Sequence, residues 1–259
     1  MCLIVFSYNT HPDYKLILAA NRDEFYDRPT TTADWWEDHA EILAGRDLKA
    51  RGTWMGIDKK GRFAAVTNYR DISNIREDVK SRGNLPVDFL LNGHSSVAYS
   101  ENVLKNAKEY NGFNLLVLDE EMTHLSNYEN KVNRLDSGIY GLSNALLDTS
   151  WPKVEKAKEG FRERIARDFV LEDLIHVMQD EEMAIDDALP QTGLPIDLER
   201  AVSAMCIRTP NYGTCCSTAI TIDYDGNVNF MEKSYPVGNR SDKTVKHSFQ
   251  IESRDEHTL

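Results

Sequence analysis

The sequence predicts an α+β fold built on antiparallel sheets, and three features predict it. Apolar runs pair through turn-forming joints at three places, and short joints of that kind connect antiparallel strands. Helical periodicity arrives in blocks after strands rather than alternating with them, which suggests layered α+β architecture. The 259 residues are 41% hydrophobic, so the chain is long enough to bury a real core.

Taken in order, residues 2–9 and 14–20 are β-rich runs joined by Asn9-Thr10-His11-Pro12-Asp13. That joint is dense in turn formers and reads as a hairpin. Asp27-Arg28-Pro29-Thr30-Thr31-Thr32 reads as loop, followed by Trp35-Trp36 and an acidic patch. Gly52-Thr53-Trp54-Met55-Gly56-Ile57 and Arg62-Phe63-Ala64-Ala65-Val66-Thr67 form a second hairpin around Asp58-Lys59-Lys60-Gly61. Residues 85–110 carry rough helical spacing (Val87, Leu90, Leu91, then Val97, Val103, Leu104), with Pro86 in a first turn and Gly93 separating two helices. A buried strand follows at 113–119, with further strands near 122–128 and 137–143. Residues 152–189 are charged with helical periodicity, and Glu163 and Arg167 offer an i,i+4 pair. The segment 186–210, with three prolines, reads as mostly irregular. Ser217–Ile222 and Asn227–Lys233 flank Asp225-Gly226, a strong hairpin signal. Residues 1–238 are expected to form one domain and 239–259 a polar, frayed tail.

Composition excludes several classes. The net charge of −12, from 42 acidic and 30 basic residues, repels nucleic-acid phosphates and anionic membrane surfaces. No apolar run approaches the ~20 residues of a membrane helix, and no basic region precedes the first apolar stretch, so neither an integral membrane segment nor a signal peptide is expected. Cys2, Cys206, Cys215 and Cys216 then read as reduced thiols of a cytoplasmic protein. They form no Cys-x-x-Cys pair and the histidines are scattered, which argues against a zinc site. No cofactor is expected, and nothing specifies an oligomeric state.

Four polar clusters end β runs: Asn21-Arg22-Asp23-Glu24, Asn68-Tyr69-Arg70, Ser143-Asn144, and Arg208 through Ser217. Sheets fix the geometry of groups at their strand ends, although strands also simply end in polar loops. Cys2 stands directly behind Met1. With Met1 removed it would carry a thiol and a free α-amine, whose unperturbed pKa values are about 8.5 and about 8. Such an amine can serve as base for its own thiol. The competing reading is a small buried hydrophobe that starts an edge strand. Arg22 and Asp23 suit electrostatic orientation of that amine and thiolate, or a surface ion pair of little consequence. Vicinal Cys215-Cys216 reads as two small residues entering a buried strand rather than a redox pair. The four tryptophans read as core or lid residues, and the acidic run 180–187 as a solvated helix end, since EF-hand spacing is absent.

Met1-Cys2-Leu3, Asn21-Arg22-Asp23-Glu24 with Arg28-Pro29, Gly45-Arg46-Asp47, Gly52-Thr53-Trp54-Met55-Gly56, Asn68-Tyr69-Arg70, Leu142-Ser143-Asn144 and Trp151-Pro152-Lys153-Val154 occur in that order. Together with Tyr212-Gly213-Thr214 and Ser217-Thr218, they resemble the NRDE family, also called the transport and Golgi organisation 2 family. The resemblance runs from residue 1 to about 235. That family is similar to N-terminal nucleophile hydrolases, including the cysteine branch with choloylglycine hydrolases and penicillin V acylases. It implies a four-layer αββα sandwich of two antiparallel sheets, and cleavage of a linear non-peptide amide in a small-molecule amide or acyl substrate. Cys2 would be nucleophile and, through its amine, base. Arg22 and Asp23 would hold it, and Asn68 and Asn144 would contact oxyanion and amine. Asn21, Glu24, Tyr69 and Arg208 complete the candidate site as binding residues. The family name also implies a non-catalytic carrier or trafficking role, with links to haem and acyl lipid. Haem gains little from a chain without a Cys-Pro dipeptide or an evident axial-ligand pair. The family pattern commonly has arginine after Tyr-Gly-Thr. Here that residue is Cys215, and Arg208 could substitute only if its loop folds back.

Overall fold

The first strand explains how the molecule is layered. Cys2–Tyr8 (β1) is buried along its whole length, as a continuous apolar run must be when both sheet faces are covered. Its even residues Ile4 and Phe6 join one hydrophobic core, while Leu3 and Val5 join another. Alternation of side chains across the strand thus feeds two separate interiors.

The structure is a computed structural model that describes residues 2–238 and 240–252. After β1 come β2 (Tyr14–Phe25), β3 (Thr30–Trp35), β4 (Ile42–Asp47), β5 (Met55–Asp58) and β6 (Phe63–Asn68). Helices α1 (Asn84–Leu91) and α2 (Ser96–Lys105) follow. Then come β7 (Phe113–Leu118), β8 (Met122–Ser126), β9 (Lys131–Arg134) and β10 (Gly138–Leu142). Helices α3 (Pro152–Ile165), α4 (Leu171–Val177) and α5 (Ile196–Ala201) precede β11 (Tyr212–Asp223), β12 (Asn227–Ser234) and β13 (Lys243–Gln250).

The strands form two antiparallel sheets. One has six strands in the order β10-β1-β2-β11-β12-β13, the other seven in sequence order from β3 to β9. A core of Phe6, Leu18, Phe63, Leu116, Ile220 and Phe230, among others, lies between them. Val66, Phe113 and Leu115 pack the seven-stranded sheet on α1 and α2 through Phe89, Leu90 and Val103. Leu3, Ile17 and Ala219 pack the six-stranded sheet on α3 and α4 through Phe161, Ile165 and Leu174. The order is helices, sheet, sheet, helices: the αββα sandwich that the resemblance implies. Each fully buried Leu or Phe contributes about 1.5–3 kcal/mol.

The helix ends have local causes. Ser95 caps α2, accepting from Ala98 N at 3.3 Å. Pro152 opens α3, where its missing N–H costs nothing. Asp173 accepts from Val170 N at 2.9 Å at the start of α4.

Five expectations need correction. Thr30–Thr32 is not loop but the start of β3, which pairs with β4 through a register shift that obscures its alternation. Polar β9 is an edge strand with no buried residue, so it shows no apolar signal. The helices of the 152–189 block stop at Val177, and Arg167 lies beyond the end of α3. The 186–210 segment contains the short helix α5. Finally, residues 243–250 do not fray. They form β13, paired with β12 from Ser234↔Lys243 to Asn227↔Gln250, because Val245, Phe249 and Ile251 pack on the inter-sheet core. The rest of the expected tail, 253–259, and Asn239 lie outside the described residues.

Candidate active site

The pleat of β2 divides the tetrad. Leu16, Leu18 and Ala20 face the other sheet, so Arg22 and Glu24 continue on that side, while Asn21 and Asp23 face the helices. Asn21 is fully buried, donates from Nδ2 to the carbonyls of Met178 and Met205, both at 2.8 Å, and accepts from the Ser217 hydroxyl. It clamps helix-side loops to the sheet and offers nothing to a ligand.

Between the sheets, the register aligns Cys2 with Arg22, Arg22 with Cys216, and Cys216 with Ser234. These four side chains form one row across β1, β2, β11 and β12. The row lines a cavity of about 500 Å³. Burial pushes the Cys2 thiol up to about 11, and Arg22 works in the opposite direction, as does a backbone hydrogen bond from Asp23. Cys2 is also held from the main chain, its carbonyl accepting from Ser143 Oγ at 3.0 Å.

Asp23 is 1% exposed, and its Oδ1 accepts from Thr214 Oγ1 at 2.7 Å. Burial raises its carboxyl, while Lys153, Thr214 and Arg22 favour the charged form. Thr214 reaches it because β11 bulges. Thr214 pairs with Asp23 but Cys216 pairs with Arg22, leaving Cys215 as the extra residue. A bulge reverses the in–out phase of a strand, turning Thr214 to the helix side and Cys216 to the cavity. Gly213 makes this entry possible: its φ is +156°, and a Cβ there would collide with the Ile207 carbonyl and the Tyr26 hydroxyl.

The remaining expected residues separate into wall and support. Asn68 lines the cavity, and its side-chain amide makes no hydrogen bond among the described residues. Asn144 is 1% exposed, stands behind that wall, and donates from Nδ2 to the Asn68 carbonyl at 2.8 Å. Glu24 lines the cavity and lies 3.8 Å from Arg22 and 3.7 Å from Arg28. Tyr69 stacks on Tyr128 at 3.7 Å between ring centroids, outside the cavity. Arg208 does not enter the cavity either. It donates to the Thr214 carbonyl at 3.0 Å and to Glu181 at 3.1 Å, and lies over the Tyr235 ring. It therefore does not fill the place of the missing arginine. Burial raises the Cys215 thiol, and Arg240 and Arg22 pull it back.

Sequence reasoning missed Arg82, Arg240 and Glu232, which also line the cavity, and buried Lys153, which donates to the Val202 carbonyl at 3.0 Å behind Asp23. The signal for Lys153 was present, since it falls within a recognised motif. The arginines stand in loops, where no periodicity marks direction. Among the described residues, no cluster of three or more His, Cys, Asp or Glu side chains could hold a metal ion, and no helix is long and apolar enough to cross a membrane.

Comparison with known proteins identifies the family. A bovine (Bos taurus) transport and Golgi organization protein 2 homolog is 37% identical over 278 residues, covering 98% of this chain and all of its own. The human (Homo sapiens) homolog is 38% identical over 257 residues, covering 90% of this chain and 93% of its own. Among solved structures, the C2A mutant of conjugated bile acid hydrolase from Clostridium perfringens is a distant likeness. It has a TM-score of 0.46 and 12% identity over 97% of this chain and 92% of its own. The family model described as Transport and Golgi organisation 2 matches residues 1–236, which takes in β1 through β12 and every residue of the row at the cavity floor, so the chain belongs to the transport and Golgi organisation 2 family.

Proposed function

We propose that the chain, once Met1 is removed, hydrolyses a linear carbon–nitrogen amide with Cys2 as its nucleophile. The observation that carries this reading is the position of Cys2, whose thiol faces a cavity of about 500 Å³ at the end of a rigid, fully buried strand. A sheet-mounted nucleophile facing a small-molecule-sized cavity satisfies the geometric demand of acyl transfer.

In this reading the freed α-amine takes the proton from Sγ, and the thiolate attacks the substrate carbonyl. The Asn68 side-chain amide, on a backbone that Asn144 fixes through the Asn68 carbonyl, donates to the developing oxyanion. The carbon–nitrogen bond breaks as the Cys2 ammonium returns its proton to the leaving amine. Water then adds to the thioester, the α-amine taking its proton, and the carbon–sulfur bond breaks to release the acid. Asp23, on the opposite face from the thiol, holds the α-ammonium, and Arg22 stabilises the thiolate. Before Met1 is removed the Cys2 nitrogen is a peptide amide and no base, and a thiol titrating near 11 is almost wholly protonated at neutral pH.

The test is intact-mass and peptide mapping after exposure to p-nitrophenyl acetate, on wild type and Cys2→Ala. Expected are a mature chain without Met1 and one acetyl group, on Cys2, absent from the variant. Amide turnover by protein that retains Met1, or an adduct that persists in Cys2→Ala, would overturn the mechanism. A carrier role predicts instead that Cys2→Ala leaves function intact.

A further inference from the structure

The charge of the cavity does not match that of the chain. The protein carries 12 more acidic than basic residues, yet seven arginine and lysine residues line the cavity against five acidic ones, of which Asp23 turns its carboxylate to the helix side. Their partners decide which charges are available. Arg28 is held by Asp47 at 2.6 Å, Arg46 by Asp38 at 2.6 Å and Lys80 by Glu109 at 2.6 Å. Two of the cavity's carboxylates are also engaged, Asp47 by Arg28 and Glu232 by Ala33 N at 2.9 Å.

Four guanidiniums have no such partner, and of these Arg76 is held at the rim by the carbonyls of Lys108 and Tyr110. Arg22 is 8% exposed; its nearest carboxylate oxygen, on Glu24, is 3.8 Å away, and it makes no side-chain hydrogen bond among the described residues. Arg82 donates to the Gly112 carbonyl at 2.8 Å and has no carboxylate within ion-pair distance among them. Among the described residues, Arg240 donates only to the carbonyls of Tyr26 and Arg28 and to Thr30 Oγ1. Burial depresses the Arg82 guanidinium below its ordinary value, and the charge of Glu24 only partly opposes it. A desolvated, unpaired cation is costly. An arriving oxyanion would meet several charge-assisted donors at once, and arginine forks suit carboxylate and phosphate geometry.

We propose that this cavity is an oxyanion receptor: its ligand carries a carboxylate or phosphate group gripped by Arg82 and Arg240 from opposite chain segments, over the Arg22 floor beside Cys2. Trp54 supplies apolar lining for the remainder of the ligand. Arg240 also brings positive charge to Cys215, where the family pattern has its own arginine. The proposal rests on the hydrolase reading only in making this ligand the substrate; the anion grip stands on the charge distribution alone.

The experiment is a fluorescence titration of Cys2→Ala, which cannot turn over, with N-dansylglycine and its neutral counterpart N-dansylglycinamide, at low and high salt. The carboxylate probe is expected to bind at least about tenfold more tightly than the amide, with the difference shrinking as salt rises. Arg82→Gln and Arg240→Gln, checked for folding by circular dichroism, should each weaken the carboxylate probe about tenfold and leave the neutral probe unchanged. Equal binding of the two probes overturns the proposal without any variant, and so does a preference that survives in both folded variants. Binding of the carboxylate by a wild-type chain that never cleaves an amide would keep this inference and remove the hydrolase reading.

Discussion

Replacing Glu199 by alanine should destabilise the protein more than any surface change, and the structure sets the scale. The Arg70 and Glu199 side chains are 5% and 4% exposed and meet at 2.8 Å. Arg70 is already poorly served: its Nε and Nη2 are buried without hydrogen-bond partners, and its remaining neighbour is the Trp151 ring at 4.7 Å. Burial lowers its pKa while Glu199 works to restore it. Glu199→Ala would leave this guanidinium buried with no carboxylate at ion-pair distance among the described residues, a loss of about 3–5 kcal/mol. It would also free Thr192, whose backbone N–H donates to Glu199 at 3.0 Å. With a urea m-value of about 3 kcal/mol per M, the midpoint should fall by about 1–1.7 M. Arg70→Met with Glu199→Leu removes both charges and should recover to within about 1 kcal/mol of wild type. A Glu199→Ala midpoint within about 0.3 M of wild type would refute the reasoning, as would a double variant no more stable than the single. The site is coupled to this pair, because Arg70 N donates to the Asn144 carbonyl at 2.7 Å and Asn144 holds Asn68.

Other outcomes follow from the same geometry. With Met1 retained, iodoacetamide labelling of Cys2, read by peptide mass, should accelerate about tenfold per pH unit up to about 11; a plateau near 8.5, the free thiol value, would contradict the burial of this sulfur. Thr214→Val keeps the shape but removes the hydroxyl from Asp23, and should cost about 1–3 kcal/mol in urea unfolding. Lys153 titrates at about 8 in the folded chain, depressed chiefly by burial, against about 10.4 unfolded. Between these values the unfolded chain binds the extra proton, so this group alone makes stability rise with pH across that window, by about 3 kcal/mol. Lys153→Met should abolish that rise, measured as the difference between the two pH–stability curves. An unchanged difference curve would mean that Lys153 is not desolvated.

Most of the scaffold was legible because it follows local rules. The hairpins at 2–20 and 217–233 announced themselves through turn residues between apolar runs, and the two-helix block through Gly93. What failed was signal that depends on partners. The alternation Val245, His247, Phe249, Ile251 was there to be read in β13, but its intervening polar residues resembled a tail until a neighbouring strand and core gave the apolar positions something to cover. In the site, the period-two rule already separates Asn21 from Arg22. Carrying Leu16, Leu18 and Ala20 forward by one pleat would have turned Asn21 away from any ligand. No such rule could find Arg82 or Arg240, because loop side chains have no period. Nor could any rule find the Thr214–Asp23 bond, which exists only through a register shift between strands 190 residues apart in sequence.

That register shift also changes the meaning of Cys215. At the level of motifs, cysteine in a usual arginine position reads as a lost catalytic charge. In three dimensions Cys215 is the extra residue of a bulge, 1% exposed, and the bulge is what sends Thr214 to Asp23 on one face and Cys216 to the Cys2–Arg22 row on the other. The position therefore has two separable duties, a backbone one and an electrostatic one. Cysteine performs the first, since a small buried side chain fits the kinked strand. The second does not require position 215, because charge acts over distance. Arg240 enters from the segment between β12 and β13 and already opposes the burial of the Cys215 sulfur. The pairing of β13 with β12 gives that segment a fixed end. The strand absent from the sequence reading thus gives a fixed end to the segment that brings Arg240 near Cys215.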